Sequence, residues 1–167
     1  QRRGGLGYEK HYRALVDCRT IVTADRVRLG CYGLNGGKAG QPFCVTVDAE
    51  GAAIELGGLV DGEPVLAGQV VKVVTTGGGG WGDPLEREFK MVKQDVTEGR
   101  VSRDSAHYDY GVVFAPGADP DDVQIDIAAT NARRAALRAQ RHGALLMIDR
   151  GEGYEKMLRG ELAPRMR

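Results

Sequence analysis

Four consecutive glycines, Gly77 to Gly80, run into Trp81-Gly82-Asp83-Pro84, and this stretch limits the possible folds more than any other in the chain. A run without side chains cannot hold the middle of a helix or strand against its own entropy, so it predicts a shaped loop between regular elements. A second such loop runs from Gly30 to Gly40 and contains Gly33, Gly36 and Gly37, while Gly4-Gly5 lies near the amino end. Glycine is plentiful throughout, 25 of 167 residues, yet it follows no three-residue period, which excludes a collagen-type helix.

Between these loops the apolar residues alternate over short spans. Strands are predicted from Gly7 to Val16 and from Thr20 to Leu29, the second antiparallel to the first. Further strands are predicted at Phe43–Val47, Ala52–Leu56 and Val70–Thr75, with turns at Asp48–Gly51 and Val65–Gln69. After the glycine run, Leu85, Phe89, Val92 and Val96 keep helical spacing, so a helix is predicted over Pro84–Glu98, stopped by Gly99. Ser102 is placed to cap a short helix through Tyr108. Strands at Gly111–Phe114 and Val123–Ile127 flank an acidic turn at Asp119–Asp122, and Thr130 is positioned to cap a helix through about Arg141. The fold class is therefore α+β and β-rich: an antiparallel sandwich or partial barrel with two or three helices towards the carboxy terminus. One β-rich domain is expected over 1–141. Residues 142–167 read as a basic tail that orders only on a partner.

The 23 Lys+Arg balance 23 Asp+Glu, so bulk attraction to nucleic acid or to an anionic membrane is not expected. The balance is local, however: residues 133–167 carry a net of +5 and the first 132 a net of −5. The plain reading of that basic end is a solvated helix face and tail, with an acidic partner as the other possibility. No apolar run approaches the length of a membrane span. Cys18, Cys31 and Cys44 are odd in number and form no CxxC pair, which favours reduced thiols and a cytoplasmic setting over disulfides or a zinc knuckle. The start, Gln1-Arg2-Arg3-Gly4, reads as the interior of a longer chain or a processed end.

Candidate site residues lie on the loops. Exposed N–H groups in Gly78-Gly79-Gly80, ahead of a helix start at Pro84, could cradle phosphate; a tight backbone crossing under Trp81 is the other reading. No Gly-Lys-Ser/Thr follows, so this is not a Walker A loop. Lys38 beside Gly36-Gly37, and Arg3 beside Gly4-Gly5, could hold carboxylate or phosphate. Asp83 before Pro84 reads as a cap or turn acceptor more than as an acid catalyst. His11, His107 and His142 show no metal-binding spacing, so no metal ligand is assigned.

Arg3-Gly4-Gly5-Leu6-Gly7, Tyr32-Gly33-Leu34-Asn35-Gly36-Gly37 and Gly77-Gly78-Gly79-Gly80-Trp81-Gly82-Asp83-Pro84-Leu85-Glu86-Arg87, in that order, resemble the carboxy-terminal part of the hydantoinase B family. That family includes N-methylhydantoinase B components, the matching half of 5-oxoprolinase, and subunits of acetone and acetophenone carboxylases. The resemblance continues through Val92, Asp95-Val96, Glu98-Gly99, Val101-Ser102, Ala106, Tyr110-Gly111-Val112-Val113, Asp126 and Thr130. Cys31-Tyr32, Ala67-Gly68-Gln69 and Lys10-His11 depart from its usual pattern. The resemblance implies an ATP-dependent, multi-subunit amidohydrolase that opens cyclic amides through a phosphorylated intermediate, with a ketone carboxylase or a non-catalytic structural subunit as alternatives. It also implies an A-type partner subunit, the remainder of a B-type component, a small-molecule substrate, and ATP and a divalent metal in the complete complex. No cofactor is expected on this chain itself, and the chain alone is expected to be inactive.

Overall fold

A computed structural model describes residues 1–49, 52–117 and 123–162. Eight strands and four helices are found among them: β1 Glu9–Arg13, β2 Cys18–Thr23, β3 Gly33–Leu34, β4 Cys44–Ala49, β5 Ala52–Leu56, β6 Leu59–Val65, β7 Val70–Val74, α1 Phe89–Thr97, α2 Arg103–Tyr108, α3 Ile127–Ala139, β8 Ile148–Asp149 and α4 Glu152–Leu158. The α+β, antiparallel reading holds, and the described strands form no closed barrel.

The main sheet has the order β1-β7-β4-β5, antiparallel throughout. Its centre is the valine-rich pair β4 and β7, registered so that Val45 faces Val73 and Val47 faces Val71. Those side chains share one face of the pleat. The β2-β6 ribbon lies against them, giving a core of Val22, Val45, Val47, Leu56 and Val65 with Phe43, Val71 and Val73 at its margin. The arrangement is a small two-layer sandwich. The strand in Thr20–Leu29 is thus shorter and earlier than expected, and it pairs with β6 rather than with the first strand. β6 has no counterpart in the sequence reading because Asp61, Gly62, Glu63 and Pro64 mask its alternation; Pro64 is tolerated in a two-stranded ribbon, where one edge needs no donor. The turn after it is found at Ala67–Gly68, where Gly68 has φ +91°. Glu50 and Gly51 of the turn expected at Asp48–Gly51, and the whole of the acidic turn expected at Asp119–Asp122, lie outside the described residues.

The second half packs around Val92, Val101, Ala106 and Val112, with Tyr110, Phe114 and Ile125 against them. The helix expected over Pro84–Glu98 is broken. A single 3₁₀ turn spans Pro84–Glu86, capped by the Asp83 carboxylate on the Leu85 N–H at 2.9 Å, and Arg87 is extended at ψ 133° before α1 starts. That break frees the Arg87 carbonyl, which a continuous helix would have given to Met91 N–H, to accept from Arg134 at 2.9 Å. Ser102 caps α2 as expected, accepting from Ser105 N–H at 3.0 Å. The strands expected at Gly111–Phe114 and Val123–Ile127 reduce to one antiparallel bridge, Phe114 with Ile125. Ile127 already belongs to α3, because Asp126, not Thr130, is the cap, accepting from Ala129 N–H at 2.9 Å. Thr130 is instead fully buried, its hydroxyl bonded to Val113 N–H at 2.9 Å.

The stretch after His142, read from sequence as a structureless tail, carries β8 and α4. β8 pairs with β3 of the same chain, Leu34 opposite Ile148, and the N–H groups of Asn35 and Gly36 donate to the carbonyls of Met147 and Leu146. The Gly30–Gly40 loop therefore contains a strand. No helix of the described residues is long and apolar enough to cross a membrane.

Candidate functional site

Three glycine-bearing segments meet at one place, and they meet by backbone. Gly77–Gly82 lies between the amino-terminal segment and the Gly30–Gly40 loop, bridged to Arg2 on one side and to Leu34 on the other. Arg2 and Trp81 exchange both N–H···O bonds, at 2.8 and 2.9 Å. Gly78 N–H donates to Gly5 O at 2.8 Å, Gly80 N–H to Lys38 O at 2.9 Å, and Gly82 N–H to Leu34 O at 2.9 Å. The N–H groups of Gly78, Gly80, Trp81 and Gly82, which a phosphate cradle would require, are thus engaged by the chain's own carbonyls. The lack of side chains is what lets the segments approach: a methyl group on Gly79 would overlap the Tyr32 carbonyl, and one on Gly4 would overlap the Gly78 carbonyl. Trp81 stays 44% exposed above the crossing.

Beside the crossing is a cavity of about 180 Å³. Of the residues singled out from sequence, Arg3, Gly4, Gly37, Lys38, Gly78 and Gly80 line it. Gly5, Gly36, Gly79, Trp81 and Asp83 do not: Gly5 accepts from Gly78, Gly36 is tied to the Leu146 carbonyl, and Gly79 lies against Tyr32. Asp83 is buried and structural. Its carboxylate takes both arms of the Arg141 guanidinium, at 2.8 and 3.0 Å, besides capping the 3₁₀ turn. Burial pushes this carboxyl up, but Arg141 and the Leu85 N–H outweigh it and leave Asp83 below the ordinary Asp range.

Three residues without an assigned role in the sequence reading complete the site. Asp95 on α1 is 2% exposed and binds Arg87 at 2.6 Å and Arg3 at 3.2 Å, joining the glycine crossing to the helices. Asp109 lines the cavity and meets Lys38 at 2.5 Å and the Ser105 hydroxyl at 2.7 Å. Burial raises its carboxyl and those two partners bring it below the ordinary value. Tyr110, on the cavity wall, is half-buried, and burial raises its phenol. The sequence signal for Asp95 was available: it follows Val92 by three residues on the apolar stripe, where an acid must be paired.

The basic carboxy-terminal end is only in part the solvated face expected of it: the side chains of Arg138, Lys156 and Arg159 stay about half-exposed. Arg134 is 7% exposed, bonds the carbonyls of Tyr110 and Arg87 at 2.9 Å each, and lies over the Phe89 ring. Arg138 and Arg141 hold Glu86 and Asp83. The helix α3 thereby clamps the segment that leaves the crossing.

Among the described residues no three His, Cys, Asp or Glu side chains converge as a metal site would require, and Cys18, Cys31 and Cys44 are free thiols. His11 sits on an exposed strand, 2.6 Å from Glu9. The described residues therefore do not fit a divalent metal.

The hydantoinase B/oxoprolinase family model matches residues 1–84, which include both glycine loops and the amino-terminal segment of the crossing. The chain belongs to the hydantoinase B/oxoprolinase family. It is 35% identical to an uncharacterized protein of Methanocaldococcus jannaschii over 132 residues, 79% of this chain and 23% of that protein. It is 28% identical to the B component of a putative D-/L-hydantoinase of Pseudomonas sp. (strain NS671) over 134 residues, 79% of this chain and 22% of that component. Its fold is similar to that of the ATP-dependent caprolactamase from Pseudomonas jessenii, with TM-score 0.61 and 30% identity over 77% of this chain and 22% of that one. The chain thus spans under a quarter of the length of these relatives.

Proposed function

We propose that this chain is the carboxy-terminal part of the B-type component of an ATP-dependent, multi-subunit, cytoplasmic amidohydrolase that opens cyclic amides. The observation that carries the reading is the family match over residues 1–84, joined to relatives named for two cyclic-amide substrates, a hydantoinase component and an ATP-dependent caprolactamase. Transfer of a phosphoryl group from ATP to an unreactive amide oxygen, with release of ADP, activates the carbonyl carbon. Water then adds to that carbon, the ring C–N bond breaks, and a second water releases the phosphate, all accessible at neutral pH. This chain's part is to form a wall. The crossing of Gly4-Gly5, Gly36-Gly37 and Gly78-Gly79-Gly80 fixes a rigid backbone surface, to which Arg3 gives positive charge while Lys38 neutralises Asp109 beside it. Trp81 and Asp83 hold the exit of the crossing towards the helices and towards an A-type subunit or the remainder of the B-type component.

The test uses the complete enzyme co-expressed with its A-type partner. ATP hydrolysis coupled to ring opening of hydantoin, 5-oxoproline or caprolactam is the expected result, with no turnover by this chain alone. ATP-dependent carboxylation of a ketone without any ring opening would overturn the hydrolase reading.

A further inference from the structure

The cavity beside the crossing has an uneven charge. Two guanidinium groups, Arg3 and Arg87, share the single carboxylate of Asp95, while Lys38 and Asp109 neutralise each other across the same wall. The Nε atoms of Arg3 and Arg87 are buried and have no hydrogen-bond partner among the described residues. Arg100, the other cation near Asp95, is 3.9 Å away and is taken by Glu98. Arg3, whose side chain is 21% exposed, is the one of the two that lines the cavity, and a partly desolvated surplus cation favours a counter-charge. Tyr110 lines the same cavity as Arg3, and of its polar atoms the carbonyl is taken by Arg134 while its hydroxyl enters none of the side-chain hydrogen bonds found among the described residues. A donor and a partly paired cation therefore face a space of about 180 Å³, enough for about six waters.

We propose that this cavity binds a small oxyanion, a phosphate or carboxylate group, held by Arg3 and the Tyr110 hydroxyl. Gly4, Gly37, Gly78 and Gly80 line the space with backbone alone, and Asp109 does not repel the anion because Lys38 and Ser105 satisfy it. The site stands on this geometry; only the identity of its physiological anion rests on the amidohydrolase reading, where it would be a phosphoryl group or a ring carboxylate.

The test is calorimetric titration of the full chain with inorganic phosphate and, separately, with acetate, against chloride at matched ionic strength and without ATP or substrate. Saturable binding of one or both is expected, phosphate alone assigning a phosphoryl group and acetate a carboxylate. Tyr110→Phe, which removes one oxygen from the wall, weakens binding by about tenfold, and Arg3→Gln by more. If Arg3→Gln fails to fold, Tyr110→Phe decides. Binding no stronger than that of chloride, or binding unchanged in Tyr110→Phe, overturns the site whatever reaction the complete enzyme catalyses. Conversely, a ketone carboxylase result with intact phosphate binding would overturn the function and leave the site standing.

Discussion

The glycine crossing and the helical half that follows it are joined at Asp83 and Arg87, yet they are specified in opposite ways. At the crossing, order comes from what is missing: carbonyl and N–H groups of three segments meet because no Cβ intervenes. In the helical half it comes from the longest side chains available, with Arg87, Arg134, Arg138 and Arg141 reaching carbonyls and carboxylates across the fold. Backbone pairing tolerates no added atom, whereas a guanidinium clamp tolerates local adjustment but not loss of its counter-charge. A wall built the first way is rigid at the price of being unable to titrate or adapt. The second way supplies the charge that the wall lacks.

The strongest way to break the comparison is at Asp95, where both halves meet. Asp95→Ala leaves Arg3 and Arg87 facing each other in a site that is 2% exposed at position 95, and should cost about 3–5 kcal/mol, read as the urea midpoint of the full chain. Unchanged stability would mean that the halves are held by the backbone alone. Gly79→Ala tests the other principle. The added methyl meets the Tyr32 carbonyl, a backbone atom that cannot swing aside, so a loss of about 3 kcal/mol is expected. Gly5→Ala, with nothing within 4 Å of the new methyl, should be near neutral and serves as its control.

The two halves were also unequally legible in the sequence. Runs such as Gly77–Gly80 announce a close approach but not its partner, because backbone pairing leaves no trace in side-chain pattern; the roles of Gly5, Leu34 and Lys38 as acceptors emerge only in three dimensions. Alternation found β4, β5 and β7, and failed for β6, whose Gly62 and Pro64 interrupt it in a ribbon with one free edge. Arg134 of α3 was misread as solvated because composition reports charge, not reach. Helical spacing from Leu85 to Val96 was real, but it hid the break at Arg87, where a tertiary bond from Arg134 outweighs local propensity. Of the site, the loops bearing Arg3 and Lys38 were found; Asp95, Asp109 and Tyr110, which give those cations their setting, were not.

The clamp at Asp83 predicts a smaller and pH-dependent effect. Asp83 is held below its ordinary pKa, so its pairing stabilises the fold fully above the unfolded value of about 4 and is lost as pH falls below it. Arg141→Gln should cost about 1–2 kcal/mol at neutral pH and flatten the decline in stability below about pH 4, measured by thermal melts across that range. Part of the slope should persist, because Asp109 is shifted in the same direction by Lys38 and Ser105. A variant whose melts keep the full wild-type slope would place the titrating group elsewhere.

The smallest effect separates the backbone of the crossing from the side chains it carries. Lys38 contributes its carbonyl to Gly80 N–H whatever its side chain, and its ammonium, with the side chain 66% exposed, forms an ion pair with Asp109 that solvent screens. Lys38→Ala should therefore lower stability by no more than about 0.5 kcal/mol, within reach of paired chemical melts at low and high salt. The crossing survives this change because its bonds do not pass through the amine. Removing Lys38 nevertheless leaves Asp109 unneutralised beside the cavity, so phosphate binding should weaken far more than stability does. Equal losses in both would mean that the lysine is a prop of the crossing rather than the counter-charge that keeps Asp109 from repelling the anion.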